Sequence, residues 1–208
     1  MYFKFGSFII QVMKTKEIRV GLDLDGVVAK HGLGGFWVKV RIIKEAILKS
    51  VHSKKYYFPK TKLEQLAWVT INWCRVPDKK GLDLLKSLAE KKFRFFLISS
   101  RLKFNYPSTI KWLKKYKLFD LFEKVLLNTK DGNPIYFKVE KIGSEKIDFF
   151  IDDDLEVLIA LCQTKAKLFW VVPGHRNGDE NHENKITNCG SYKEALEKIV
   201  IEIDKGIR

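Results

Sequence analysis

The stretch Val20-Gly21-Leu22-Asp23-Leu24-Asp25-Gly26-Val27 sets two carboxylates two residues apart at the end of an apolar run and follows them at once with glycine. Ile18 to Leu22 read as a short buried strand, and Gly26 frees the chain to turn sharply just beyond it. In an open α/β sheet, ligands collect outside the carboxyl ends of the strands, so both acids would stand where chemistry is normally done. Carboxylates this close repel one another unless a cation lies between them or one of them holds a proton. Mg²⁺ is the usual hard cation for oxygen donors of this kind, so the pair suggests a magnesium site. A turn in which Asp and Gly merely set the bend would look the same in isolation, and the rest of the chain decides between the two.

Past these acids, Lys30-His31-Gly32-Leu33-Gly34-Gly35 is too glycine-rich for regular structure and reads as a loop beside the site. Phe36, Val40, Ile43, Ile47 and Val51 recur at helical spacing. Thr61-Lys62-Leu63-Glu64 is a capping box that opens a second helix, with Leu63, Leu66, Thr70 and Trp73 predicted as its buried face. The basic and aromatic run Lys54 to Lys60 lies between the two helices. From Asp78, which can cap a helix, strand and helix alternate. Phe93 to Ile98 is an apolar strand ending in Ser99-Ser100-Arg101. A helix through Trp112 and Leu113 leads to a strand at Val125 to Leu127. Phe149 to Ile151 ends in Asp152-Asp153-Asp154, Leu168 to Val172 forms a fifth strand, and Tyr192 to Ile203 closes as a helix. Pro173 to Asn188 reads as loop. This order predicts an α/β, Rossmann-like parallel sheet with helices on both faces. Residues 1–30 and 78–208 would form that core, with 31–77 inserted as a small helical cap after the first strand.

Composition agrees with one core plus a modest insertion. The chain has 208 residues, 46% hydrophobic and 31% charged, values of an ordinary soluble globular protein. Lys and Arg total 39 against 25 Asp and Glu, a formal charge of +14 that suits acidic ligands such as phosphate esters or nucleic acid. Most of these residues are Lys, which also serves simply as solvated surface. Cys74, Cys162 and Cys189 are odd in number and form no C-x-x-C pair, which disfavours a disulfide framework or thiolate zinc site and fits a reducing, cytoplasmic setting. No stretch approaches the ~20 apolar residues of a spanning helix, so no membrane association is expected. The apolar Met1 to Met13 lacks a small-residue cleavage site and reads as an added edge strand or an extension upstream of a start at Met13. His175, Asp179, Glu180, His182 and Glu183 match no standard zinc spacing and read as a solvated loop.

Polar groups thus stand at the ends of several strands, in a fixed order along the chain. On these motifs the sequence resembles the haloacid-dehalogenase-like hydrolase superfamily, and is most similar to its phosphatase branch with a small, nucleotidase-like helical cap. Gly21 to Val27 match the first motif, Phe95-Phe96-Leu97-Ile98-Ser99 the second, and Phe149-Phe150-Ile151-Asp152-Asp153 the fourth. The third motif is only a lysine upstream of the fourth. Lys138 and Lys141 both qualify, and Lys138 is preferred because it follows a Gly132 and Pro134 loop at a helix start.

The resemblance implies that Asp23 attacks phosphorus and that Asp25 acts as acid and then base, work suited to a carboxyl with a raised pKa. By the same resemblance, Ser99 holds a phosphoryl oxygen and Lys138 neutralises charge. Asp23, Asp152 and the backbone carbonyl of Asp25 would bind Mg²⁺, with Asp153 assisting. Ser100, Arg101, Arg41, Lys54 and Tyr56 are candidates for substrate contact. Relatives that cleave carbon–halogen bonds lack the second acid, so Asp25 favours phosphate chemistry. The activity implied is that of a phosphomonoesterase for a small phosphorylated metabolite such as a nucleotide. The rival reading is a nucleic-acid-associated protein, either a polynucleotide end phosphatase or a non-catalytic binder. The sequence leaves the oligomeric state open.

Overall fold

The computed structural model of the chain describes residues 17–31, 58–172 and 185–206. Strand β1 (Ile18–Leu22) lies at the centre of a six-stranded sheet, paired in parallel with β4 (Phe93–Leu102) on one side and β6 (Phe149–Asp152) on the other. β5 (Lys124–Asn128) extends the sheet beyond β4, and β7 (Lys167–Val171) and β8 (Ile186–Cys189) extend it beyond β6, giving the order β5-β4-β1-β6-β7-β8. All five pairings are parallel. The chain therefore runs outward through β4 and β5, then returns to the other side of β1 and runs outward again. The reversal falls at β1 and β6, and such switch points open a crevice beyond the carboxyl ends of their strands.

Strand residues are apolar in succession because both faces of the sheet are covered. Phe95 and Leu97 join Leu82, Leu85, Trp112, Leu113, Leu196 and Ile199 in one core cluster. These come from α2 (Lys79–Ala89), α3 (Tyr106–Lys115) and α6 (Tyr192–Gly206). Phe96 and Ile98, pointing the other way, join Ile142, Val157, Leu158 and Leu161 from α4 (Pro134–Ser144) and α5 (Leu155–Leu161). Burying each such large side chain stabilises the fold by roughly 1.5–3 kcal/mol, which fixes the helices on the two faces and leaves the strand ends to carry polar groups.

Three differences from the sequence reading have physical causes. α1 (Lys62–Trp73) begins with the expected capping box, Thr61 accepting from the Glu64 amide and Glu64 from the Thr61 amide. Its predicted buried face is reversed, however: Leu63 and Leu66 are 79% and 63% exposed, and Asn72 is the buried residue, donating to Asn105 beside α3. Ile186–Cys189, read as loop, is an edge strand whose Ile186 and Cys189 are buried while Thr187 and Asn188 supply the polar look. α5, not foreseen, is a short helix capped by the Asp154 side chain.

The chain leaves and returns at one place on either side of residues 32–74. β2 (Ala29–His31) pairs antiparallel with β3 (Arg75–Pro77), setting His31 opposite Arg75. Within 31–77, the described part is thus a two-stranded ribbon with α1, while the helix expected over Phe36 to Val51 lies outside the described residues. The same holds for Met1 to Met13 and for the His175 to Glu183 cluster.

Candidate active site

Asp23 follows β1, Asp152 ends β6, and the two strands are neighbours, so the carboxylates face one crevice. Lys138 joins them from α4. Asn133 caps this helix by accepting from the Ile135 and Tyr136 amides, and the four-residue spacing Pro134, Lys138, Ile142 forms its buried stripe. Lys138 is buried, with Nζ 2.9 Å from Asp23 Oδ1 and 2.6 Å from Asp152 Oδ2, and 5.8 Å from the centre of the Phe150 ring. Lys141 lies three residues on, off that stripe, and pairs with Glu140 at the surface.

Asp153 stands at the mouth of the crevice, its backbone carbonyl accepting from Trp170 Nε1. Asp152 accepts from the Asp154 amide. Gly26 has φ +88°, and a Cβ there would lie 1.9 Å from Asp153 Oδ2. Only glycine both adopts that backbone and leaves the carboxylate its place.

Asp23, Asp152 and Asp153 each offer a carboxylate oxygen within 4.8 Å of the others. Burial, together with the charges of Asp152 and Asp25, pushes the Asp23 carboxyl up to about 7 against the opposing pull of Lys138. Desolvation by the surrounding protein and the charges of Asp23 and Asp152 raise Asp153 to about 8. Lys138 is held protonated: burial opposes its charge, but Asp152 and Asp23 outweigh that penalty. Asp23 and Asp153, both resisting ionisation, crowd against Asp152 to give a donor set of oxygens only, which suits a hard divalent cation, and the residues present fit Mg²⁺.

Asp25 departs from expectation. Burial alone would raise its carboxyl, yet Arg101 and then Arg75 outweigh burial and hold it well below the usual carboxylate range. Arg101 forks onto it, Nε to Oδ2 at 2.8 Å and Nη2 to Oδ1 at 2.7 Å, while its Nη1 donates to Thr109 at 3.1 Å. Arg75 Nε lies 3.0 Å from Oδ1 as an ion pair whose N–H is not directed at the oxygen. The expectation of a raised Asp25 pKa is therefore corrected: two guanidinium groups keep it ionised. Arg101, expected to contact substrate, is buried and committed to Asp25 instead.

Leu97 is opposite Leu22 in the sheet, and Ser99 lies two residues further on, buried, its Oγ accepting from the Arg101 amide at 3.4 Å. The pairing of β4 with β5 slips between Ser99 and Leu102, a bulge that sets half-buried Ser100 and Arg101 out of regular register. Arg41, Lys54 and Tyr56 lie outside the described residues. Arg75 and Thr109 carry little signal in the sequence. Arg75's only signal is a lone arginine between the insertion's last helix and Asp78, and Thr109 reads simply as a helix-start residue.

No protein-family model matches the chain, and no curated protein matches it. Solved structures do. A haloacid dehalogenase-like hydrolase from Streptococcus pneumoniae superposes with a TM-score of 0.57 at 11% identity, over 91% of this chain and 99% of that one. A protein assigned as a beta-phosphoglucomutase from Thermotoga maritima gives 0.59 at 12% identity, over 89% and 99%. A 2-haloacid dehalogenase from Pseudomonas syringae gives 0.53 at 13%, over 89% and 98%. The chain has the fold of the haloacid-dehalogenase-like hydrolases.

Proposed function

We propose that the chain is a Mg²⁺-dependent phosphomonoesterase acting on a small phosphorylated metabolite through an aspartyl-phosphate on Asp23. The observation that carries this reading is the Asp23–Lys138–Asp152 cluster at the switch point of the sheet, with a second acid, Asp25, two residues beyond Asp23. Solved relatives in this fold include a dehalogenase, and the second acid is the feature that favours phosphate over halide chemistry.

Asp23, Asp152 and Asp153, with the backbone carbonyl of Asp25, would hold the Mg²⁺. When bound, it would offset phosphoryl charge and let Asp23 ionise. Asp23 then supplies the nucleophilic oxygen. Lys138 holds positive charge beside that oxygen, fixed by packing on Phe150 and by Asp152, so little reorganisation is needed as charge develops on the phosphoryl group. Ser99 stands at the next strand end to donate to a phosphoryl oxygen. Asp25, ionised and held by Arg101 and Arg75, is in the state needed to take a proton from water in the second half of the reaction.

The 31–77 segment is proposed as the cap, carrying substrate contacts that include Arg41, Lys54 and Tyr56. Cys74, Cys162 and Cys189 form no disulfide among the described residues, which suits a reducing cytoplasmic setting, and among those residues no helix is long and apolar enough to cross a membrane. The test is hydrolysis of an aryl phosphate with and without Mg²⁺ by the wild type and by Asp23→Asn. Metal-dependent turnover abolished in the folded variant is expected, because an amide is a poor nucleophile and a weaker ligand. Near-normal hydrolysis by the variant would overturn the assignment.

A further inference from the structure

Asp25 is gripped from two separate parts of the chain. Arg101 comes from the core, and its guanidinium is itself anchored by Thr109. Arg75 comes from β3, the strand on which the insertion returns. The Arg101 fork orients the carboxylate through two directed bonds, and the Arg75 guanidinium, 3.0 Å from Oδ1, sets a second positive charge against the same oxygen from another element.

Arg75 is itself held on several sides. Its backbone carbonyl accepts from the indole of fully buried Trp112 at 2.9 Å, and its Nη1 donates to the Ala29 carbonyl at 3.4 Å. That same Ala29 carbonyl accepts from the Gly26 amide at 2.9 Å, and the Ala29 amide donates to Leu24 at 2.7 Å, closing the turn that bears Asp25. Three residues before Arg75, the buried Asn72 bonds Asn105 and pins the end of α1 to the core. Lys30 of β2 pairs with Asp78 just past β3. Arg75 thus touches both the acid's carboxylate and the turn beneath it, from the root of the insertion.

We propose that Arg75 is a positioning residue through which the root of the insertion sets where the Asp25 carboxylate stands. The role rests on the phosphatase reading and belongs to its second half. There a water oxygen bonds to phosphorus as the bond from phosphorus to the Asp23 oxygen breaks. The water's proton passes to Asp25, and inorganic phosphate and the Asp23 carboxylate are released. A base displaced by about 1 Å is costly in such a step, and its loss slows breakdown of the aspartyl-phosphate rather than its formation.

The experiment uses the full chain with Mg²⁺, comparing wild type, Arg75→Ala and Arg75→Lys, each checked for folding by circular dichroism. Turnover is measured on p-nitrophenyl phosphate and on an alkyl phosphate, with acid-quenched samples assayed for phosphate bound to protein and released by hydroxylamine. Arg75→Ala is expected to lower kcat about 10-fold or more, as for loss of an aligned general base. It should also accumulate phosphorylated protein and bring kcat for the two esters to one common value. Arg75→Lys, which keeps the charge but not the Ala29 contact, and added guanidinium with Arg75→Ala should both recover part of the rate. Should Arg75→Ala fail to fold, Arg75→Lys must show a smaller loss with the same build-up. A loss of turnover without phosphorylated protein, a rise in KM alone, or unchanged kinetics would overturn the proposal. A wild type that hydrolyses neither ester fails before any variant is compared, and removes the phosphatase reading and the Arg75 role together.

Discussion

Lys138 places one ammonium within hydrogen-bonding distance of two buried carboxylates, and this spends burial energy that an apolar residue would not. Such a residue is retained for what it does. Lys138→Ala is expected to lower kcat by roughly 100-fold or more, the range for losing a preorganised charge contact, while Lys141→Ala, at the surface with Glu140, should change it little. Steady-state rates of the two purified variants decide, and the reverse ranking would place the active lysine at Lys141. The acids around Lys138 make a second prediction. Asp23 and Asp153 are raised from an ordinary 3.8 to about 7 and about 8, so the unfolded chain gives up these protons at lower pH than the folded one. Their contribution to stability is complete below pH 3.8 and is lost as pH rises through 7 to 8. Asp25, held low, contributes in the opposite sense, losing stability only as pH falls below the ordinary carboxylate range. Metal-free protein should therefore melt at a lower temperature at pH 8 than at pH 5.5. Added Mg²⁺, which competes with those protons, should raise Tm more at pH 8. Thermal melts at the two pH values with and without Mg²⁺ give the answer, and an equal Mg²⁺ shift at both would remove these acids from the metal site.

The turn after β1 is the element on which the site depends. Gly26→Ala would force a side chain into φ +88° and into the Asp153 carboxylate, at a cost of about 1–3 kcal/mol for the backbone conformation alone. Tm should fall by several degrees, and the Mg²⁺ concentration needed for half-maximal activity should rise. A variant with unchanged melting and metal dependence would show that the turn relaxes freely. This turn and five of the six strands of the main sheet were legible in the sequence because buried parallel strands read as unbroken apolar runs ending in polar residues. The common rim for Asp23, Ser99 and Asp152 follows from strand order alone. The grip on Asp25 was not legible. It depends on β3 folding back beside β2, a pairing of three residues a side with no periodicity to announce it, and on a bulge in β4 that re-aims Arg101. The face of α1 was misread for a related reason. Apolar spacing fixes a stripe, but the polar Asn72–Asn105 bond and the ribbon at its end set which side meets the core. Leu63 and Leu66 are left outward.

At the scale of the whole molecule, the formal charge of +14 is the property that sets the phosphomonoesterase reading against its nucleic-acid rival. A polynucleotide held along a basic surface neutralises several phosphates at once, and its affinity falls by roughly 10³-fold or more between low and moderate salt. A small ester held at one cluster of acids and one lysine makes few such contacts and loses little. Among the described residues several lysines are paired with acids: Lys30 with Asp78, Lys124 with Glu145, Lys167 with Glu202 and Lys193 with Glu197. Lysines neutralised in this way offer no continuous track for a polynucleotide backbone. The basic and aromatic run Lys54 to Lys60, by contrast, is short and falls within the segment 31–77 proposed as the cap. We therefore expect kcat/KM for mononucleotides and sugar phosphates to change by less than about 10-fold across 50–200 mM salt, and phosphate-ended oligonucleotides to gain no advantage at the low end. The measurement is a panel of these three substrate classes at stepped salt concentrations. A steep salt slope confined to oligonucleotides, and abolished by changing Lys54, Lys55 and Lys60 to Glu, would give the insertion a nucleic-acid role and displace the small-metabolite reading.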